Sequence, residues 1–465
     1  MIWGLSFALF CLFTLWLGWR ASSGIQSVRH YLLSHQNFGQ FALFSTIVAS
    51  FVGGGVVMGT AEKSFQFGIG HALGLLGFAL QLILTGWWVA PRMARFREMM
   101  TLGEVVAKYY GKMPQILTGL LWLSFCIGIL TAQMSAMGNL ITSLLGYDRT
   151  FSILMSASIV IFYCYIGGIR AVVATDIFQF VLLSLALALV SYCGIQTLGG
   201  WQSFVEVIPS NHFTPTSYLS SWELGVIFVS FLLGDALIPP VFQRLLMGKN
   251  TQVTRKAYIW AGLFIVPICF LAMSHGFIAY AMDSTLPKEE ITAFLFQNSL
   301  STPFAIIALL GFIAVIMSSA DSYLNAAAGA FVNDFITPIA GKSLSKEQGL
   351  NLAKWSTVIL GALSIFFAIA VQDILDILLK TYQFWGPTLV VPLIGIFSNK
   401  TLPPWGFYSS VLAGGLSVVV WNTFDLEAVT HVSALIAGLA ANAVVYTSAY
   451  LVTKFSNGKA AVGTI

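Results

Sequence analysis

Residues 45–62 read STIVASFVGGGVVMGTAE, an apolar run interrupted at its centre by Gly53, Gly54 and Gly55. Each of three adjacent glycines forfeits about 1 kcal/mol of helix propensity relative to alanine, so the helix is expected to break there. A second run, VSFLLGDALIPPVFQRLL at 229–246, is interrupted by Gly234, Asp235, Pro239 and Pro240. Proline removes a donor and blocks the preceding turn. Broken backbone at membrane depth is tolerated only where it lines a cavity or is buried in protein. The relation between these two interruptions decides the fold.

Composition puts both runs in a bilayer. Of 465 residues, 57% are hydrophobic and only 9% charged, with a mean hydropathy of +0.85. A soluble domain carries about 25% charged residues. The expectation is an all-α polytopic membrane protein with no separate soluble domain. A crossing helix needs about 20 apolar residues. Thirteen such spans are read near 2–20, 42–65, 66–94, 114–144, 150–168, 170–196, 223–247, 256–282, 302–336, 351–372, 375–398, 403–421 and 430–453. The first is followed by Arg20 without a small-residue cleavage pattern, so it is expected to be a span and not a signal peptide. Cys11, Cys126, Cys164, Cys193 and Cys269 all lie in apolar runs, without zinc or redox spacing, and are expected to pack between helices.

Basic residues test the count. With the N-terminus outside, eighteen Lys and Arg fall on one side, among them Arg20, Arg92, Arg97, Arg170, Arg244, Lys249, Lys342 and Lys400. Four fall on the other: Lys63, Arg149, Lys288 and Lys380. Lys and Arg accumulate on the cytoplasmic side, so the expected topology is N-terminus outside and C-terminus cytoplasmic, in a plasma or inner membrane. The net charge of +4 then reports topology and implies no nucleic-acid partner.

Five spans separate the two breaks. The second span enters from inside and the seventh from outside, which defines two five-helix units of opposite orientation, 42–196 and 223–398. Residues 1–41 form an extra helix and linker, 197–222 an extracellular loop, and 399–465 two final helices and a short tail. Inverted repeats whose broken helices meet at the midplane are the architecture of many secondary transporters. The symmetry is one of hydropathy, not residue identity. For the glycines alone, close packing through Gly55 and Gly59 is the competing reading.

The ninth span carries IMSSADSYLN at 316–325. Ser318, Asp321 and Ser322 fall at i, i+3 and i+4, one stripe of a helix, with Ser319 a step round. A charge at the bilayer centre costs about 2.5–3.5 kcal/mol on insertion scales, so Asp321 calls for a partner or an ion. Hydroxyl and carboxylate oxygens suit a small hard cation, and a broken helix nearby adds free carbonyls such as those of Ala49 and Val52. The competing reading is serines bonding between helices or back to their own helix. Asp176, in GGIRAVVATDIFQ, is read either as a near-surface acid paired with Arg170 or as part of an ion site or gate.

VGGGVVMGTAE at 52–62, TLGEVVAKYYGK at 101–112, GGIRAVVATDIFQ at 167–179, FQRLL at 242–246 and MSSADS at 317–322 together resemble the sodium/solute symporter family, over roughly residues 1–455. The resemblance implies about thirteen helices around a leucine-transporter-type 5+5 inverted-repeat core. It implies that Na+ entry drives uptake of a small organic solute. It implies a principal Na+ site of the Ala49, Val52 and Val315 carbonyls with the Ser318 and Ser319 hydroxyls. A further Na+ site would use Asp176, Asp321 and Ser322, with Ser318 shared.

The glycine and serine motifs look most like the choline-transporter branch, which holds a quaternary ammonium in an aromatic cage. Two expected tryptophans fall on Ile129 and Ile238, so choline itself is disfavoured. The expected solute pocket is lined by Phe51, Gly54, Gln133, Asp235, Ile238, Tyr382, Gln383 and Trp385. Asp235 would meet a solute amine or hydroxyl, or else cap the half-helix after it. His71 and His275 are expected to be satisfied core histidines.

The leading expectation is therefore a Na+-coupled symporter importing a small polar organic solute by alternating access, with Na+ as coupling ion and the bilayer and solute as partners. No obligatory protein partner is expected. A proton-coupled symporter of the same fold and a non-transporting solute sensor are the alternatives. The chain ends about ten residues after the last span, which leaves the sensor reading without an output domain. An enzyme is not expected, because no His and acid cluster has metal or nucleophile spacing.

Overall fold

In hydrocarbon every backbone group must be paired within its own segment, which leaves helices as the economical solution for a single chain. In a computed structural model the structure describes residues 2–341, 344–370 and 382–462. Lys342, Lys380 and the first part of the predicted eleventh span, residues 375–381, lie outside the described residues. Among the described residues there is no β-strand, only a single bridge between Phe38 and Gly248. Eight helices are long and apolar enough to cross a membrane, or nine if a bent pair counts as one span.

The helices named below are α1 (Ile2–Ala21), α2 (Gln40–Phe51), α3 (Gly54–Phe67), α4 (Ile69–Phe96), α5 (Lys112–Leu145), α6 (Arg149–Thr197), α7 (Ser221–Leu233), α8 (Pro239–Met247), α9 (Thr251–Met282), α10 (Thr302–Ala330), α11 (Lys346–Ala370), α12 (Tyr382–Phe397), α13 (Pro404–Thr423) and α14 (Ala434–Val462). The bent pair is α2 and α3, which meet at 53° across Val52 and Gly53. The second expected break lies between α7 and α8, where Leu237 takes φ 57 and Ile238 is the N-cap. Pro239 and Pro240 do not interrupt a helix. They begin α8, where a missing N–H has no intrahelical partner to lose.

The 49 residues of α6 are two helices that meet at a kink, where Gly168 sits at φ 46, ψ −141. Only glycine adopts such a backbone readily. A Cβ there would stand 2.4 Å from the Tyr31 carbonyl oxygen. The two sequence segments 150–168 and 170–196 thus meet at this kink.

The core is α10. Every position from Gly311 to Ala330 is buried, so this part of the helix has no lipid face, while Phe304 and Ile307 near its start are exposed. It packs chiefly against α6 and α5, and also against α2. At the other extreme, α1 exposes Leu5, Leu9, Leu12 and Trp16, the expected pattern for a face that meets lipid.

Three sequence-based expectations are corrected here. A Cβ on Gly55 or Gly59 would meet nothing within 4 Å, so these glycines make no close helix contact. Arg244 is only 1% exposed, so it does not belong to the cytoplasmic charge excess. Arg170 does not pair with Asp176; its guanidinium donates to the Ser23 carbonyl. Of the histidines, His275 is buried and lies 3.2 Å from the Leu187 carbonyl oxygen, while His71 is partly buried against the edge of Phe231.

Candidate cation and solute site

The last carbonyls of any helix lack intrahelical donors. In α2 the break determines which ones. Ala49 O would receive the Gly53 N–H in a continuous helix, but that N–H turns to Phe51 O at 3.2 Å. Ser50 O would receive the Gly54 N–H, which points instead at Gln133 Oε1, 3.4 Å away. Both carbonyls are released, and α10 meets them with hydroxyls. Ser318 Oγ lies 2.8 Å from Ala49 O and 2.9 Å from Val315 O. Ser319 Oγ donates to Ser50 O at 3.2 Å. All five positions, Ala49, Ser50, Val315, Ser318 and Ser319, are buried.

The expected set of Ala49, Val315, Ser318 and Ser319 is therefore brought together. Val52 lies in the break itself, its N–H bonded to Val48 O at 2.9 Å. The Ser50 carbonyl, absent from the expected set, is the partner of Ser319. Its signal was available in the sequence: it is four residues before Gly54, as Ala49 is before Gly53.

Gly53 leaves room for this meeting. A Cβ on it would stand 2.8 Å from Gln133 Nε2 and 2.9 Å from Ser319 Oγ. Its φ of −94 suits any residue, so the constraint is one of space. Gly53→Ala is expected to fold and to raise the half-saturating Na+ concentration at least tenfold, since a displacement of Ser319 worth about 1.4 kcal/mol suffices. Titration of sodium-dependent thermal stability against a potassium control checks this; an unchanged midpoint would refute it.

One turn toward the N-terminal end of α2, a second polar cluster surrounds Arg244. Its Nη2 lies 2.6 Å from Ser322 Oγ, 2.7 Å from Ser50 Oγ, 3.0 Å from Thr46 Oγ1 and 3.4 Å from Asp176 Oδ2. Thr46 also donates to Asp176. Asp321 faces the same cluster from α10. Tyr163 Oη donates to its Oδ2 at 2.7 Å, Thr175 Oγ1 lies 3.4 Å from the same oxygen, and Ser322 Oγ donates to its Oδ1 at 3.1 Å. The structure thus gathers Asp176, Asp321 and Ser322, as expected for a second cation site, but around a guanidinium. Asp176 Oδ1 keeps no partner in this arrangement. The sequence reading missed Arg244, Thr46, Tyr163 and Thr175. Thr46 and Ser50 lie on one stripe of α2, and Arg244 is the lone charge within VFQRLLM; both were visible signals.

The expected solute liners divide. Phe51 from the first break and Ile238 from the second line one narrow cleft with Ser50, Pro240, Val241 and Arg244. Gln133 holds the Gly54 N–H, as above. Trp385 donates from its indole to Ala236 O at 3.0 Å and stands over Phe125, 5.2 Å between centroids. Tyr382 meets Phe125 edge-on at 5.2 Å. Gln383 is not brought to this site: its side chain accepts from exposed Asn422 on α13 at 2.9 Å. Phe125, Tyr323 and Trp122 were not anticipated. They carry no polar signal, and aromatics are abundant throughout this sequence.

Two helices broken at facing points, set against an unbroken polar helix, define a multi-pass transporter, not an enzyme. The chain belongs to the sodium:solute symporter family, whose family profile matches residues 31–414. Sodium/proline symporters of Staphylococcus aureus are 22% identical over 436 residues in strain NCTC 8325 / PS 47 and 23% over 442 residues in strain bovine RF122 / ET3-1; each alignment covers 90% of this chain and 84% of the relative. A Na+-coupled sialic acid symporter, in a substrate-bound outward-open state, shares the fold with a TM-score of 0.87 at 18% identity, covering 97% of this chain and 98% of its own. A nucleobase-cation-symport-1 family transporter superposes with a TM-score of 0.57 at 11% identity, over 92% and 94% of the two chains. MhsT in complex with L-phenylalanine superposes with 0.52 at 15% identity, over 89% and 97%.

Proposed function

We propose that this chain imports a small polar organic solute, driven by Na+ that binds between the end of α2 and the middle of α10. One observation carries the reading: two carbonyls released by the break face two buried hydroxyls across the helix contact. Na+ would replace the serine protons as the group that holds these oxygens together, using Ala49 O, Val52 O, Val315 O, Ser318 Oγ and Ser319 Oγ. Carbonyls of unwound helix are the usual ligands of a coupling ion in such transporters.

The Asp176, Asp321 and Ser322 set is proposed as a second Na+ site beside Arg244. Asp176 pairs with the guanidinium, Asp321 joins the cluster through Ser322 without an ion pair to it, and Asp176 Oδ1 lacks a partner, which favours one further positive charge there. Phe51, Gly54, Gln133, Asp235, Ile238, Tyr382 and Trp385 are proposed to line the solute pocket.

The thirteen-span count and the inverted units 42–196 and 223–398 belong to the same proposal. A straight helix of 49 residues would reach about 74 Å, more than twice the roughly 30 Å hydrocarbon thickness, so α6 is counted as two spans meeting at Gly168. With the N-terminus outside, the rings of Phe51, Phe78 and Phe231, edge-on and tilted at centroid distances of 4.9 and 4.5 Å, would form the outer cover. Na+ binding would favour the outward-open form, solute would close that cover, and Na+ would leave first into a sodium-poor cytoplasm.

Uptake of solute by purified protein in proteoliposomes is expected to require an inward Na+ gradient. Accumulation that ignores Na+ and follows a pH gradient would replace this reading with proton coupling. Binding of solute without accumulation under any gradient would replace it with a sensor.

A further inference from the structure

Asp235 lies in the unwound stretch between α7 and α8 and is 7% exposed. It has no structural employment there. It does not cap α8: the N-cap is Ile238, and no side-chain cap bond is present. Among the described residues its carboxylate makes no ion pair, the two ion pairs being Arg244–Asp176 and Lys288–Glu289. Nor does any described side chain or backbone group hydrogen-bond to it, and yet neither of its oxygens is among the fully enclosed unpaired atoms of the structure. Among the described residues the carboxylate is therefore buried without a partner. A buried acid in a membrane protein is retained only when something pays for its desolvation.

The surroundings show what kind of group that is. The helix that carries Tyr382 and Trp385 crosses the unwound stretch beside Asp235: a Cβ on Gly386 would stand 3.0 Å from Gly234 Cα. Phe125 lies tilted against Tyr323 and edge-on to Tyr382, at 6.0 and 5.2 Å between centroids. Trp385 is fastened to the adjacent residue through its bond to Ala236 O. Aromatic faces attract a cation by their quadrupole and repel an anion. Arg244, the other buried charge beside the cleft, has its Nη2 committed to Ser322, Ser50 and Thr46. A buried carboxylate among aromatic rings, paired with no cation among the described residues, selects for positive charge.

We propose that Asp235 is the anchor for a positively charged nitrogen, so that the transported solute is an amine or ammonium compound and not a sugar, polyol or simple carboxylate. This rests on the reading of the chain as a solute symporter. Desolvating an acid together with a matching ammonium beneath aromatic faces is favourable, whereas a neutral solute would leave the acid unpaired in the closed state.

The test uses full-length protein in detergent and a fixed panel: amino acids, monoamines and quaternary ammonium compounds against glucose, myo-inositol, lactate and acetate. Thermal stabilisation is read with sodium and with potassium, and solute affinity is then measured for the wild type, Asp235→Asn and Asp235→Glu. Binding of radioactive Na+ to each sample reports that it is folded. Only nitrogen-cation compounds are expected to stabilise the wild type. D235N is expected to lose at least tenfold in solute affinity, and D235E to recover part of it. Stabilisation by a polyol or carboxylate, no response to any cationic compound, or equal affinity in D235N overturns the anchor, and leaves Na+ coupling standing if Na+ still binds. A cationic solute that depends on Asp235 but binds equally in sodium and potassium overturns the coupling and leaves the anchor standing.

Discussion

Arg244→Ala is expected to destabilise the protein by about 3–5 kcal/mol, the cost of stripping one partner from a buried ion pair. The guanidinium is 1% exposed, and its Nη2 is shared among Thr46, Ser50, Ser322 and Asp176, which come from α2, α10 and α6. Removing it leaves the Asp176 carboxylate buried without its ion-pair partner, in a cluster that Asp321 joins through Ser322. Much of the loss is the penalty of that unpaired charge. The double variant R244A with Asp176→Asn should therefore recover part of the stability lost by R244A alone. Arg244→Lys keeps the charge but not the planar fork that meets several acceptors at once, so it should fall between wild type and alanine. The measurement is thermal unfolding in detergent, where R244A should lose several degrees. If R244A unfolds with the wild type, the cluster is held by its hydroxyls and the ion pair is incidental. The same series tests the second cation site: an added Na+ that shares the cluster should stabilise R244A more than the wild type.

Ser318→Ala is expected to raise the half-saturating Na+ concentration by a factor of ten to a hundred, about 1.4–2.7 kcal/mol. Ser318 is the one hydroxyl that touches both a released carbonyl of α2 and a carbonyl of its own helix. Its loss removes a ligand and loosens the contact between the two halves of the site. Ser319→Ala should act in the same direction with a smaller effect, because Ser319 reaches a single carbonyl at a longer distance. Folding is not at risk from either change, since each deletes one buried hydroxyl without opening a large cavity. Direct binding of radioactive Na+ reads the effect without knowledge of the solute. If both variants bind Na+ as the wild type does, the coupling ion sits elsewhere.

Read beside Gly53→Ala, these variants separate two contributions. The serine variants remove ligands, whereas the glycine variant keeps every ligand and disturbs their spacing by placing a methyl group 2.9 Å from Ser319 Oγ. Equal losses in all three would mean that geometry, and not ligand number, limits affinity.

Much of the site was legible in the sequence because its signals are local. Glycines at 53–55 lower helix propensity whatever surrounds them, and the i, i+3, i+4 spacing of Ser318, Asp321 and Ser322 defines a polar stripe from the helix period alone. Asp235 stood out because an acid in an apolar run is costly wherever the run packs. The prolines at 239 and 240 were read as interrupting a helix, but local chemistry alone does not distinguish a helix that breaks at proline from one that starts there. Gln383 was placed in the pocket by its position in the eleventh span, and only the rotation of α12 turns it to Asn422.

What the sequence determined by itself is the membrane class, the position of the breaks, the polar stripe of α10 and the family, because hydropathy, helix propensity and residue motifs belong to neighbouring residues. The tertiary structure alone decided that Arg244 sits between Asp176 and Ser322 and not in a loop, that Ser319 answers the carbonyl of Ser50, and that Asp235 has no partner among the described residues. Those pairings span up to 269 residues and depend on how each helix is rotated about its axis. That rotation is settled by the packing of the whole bundle around α10, a quantity no single stretch of residues contains.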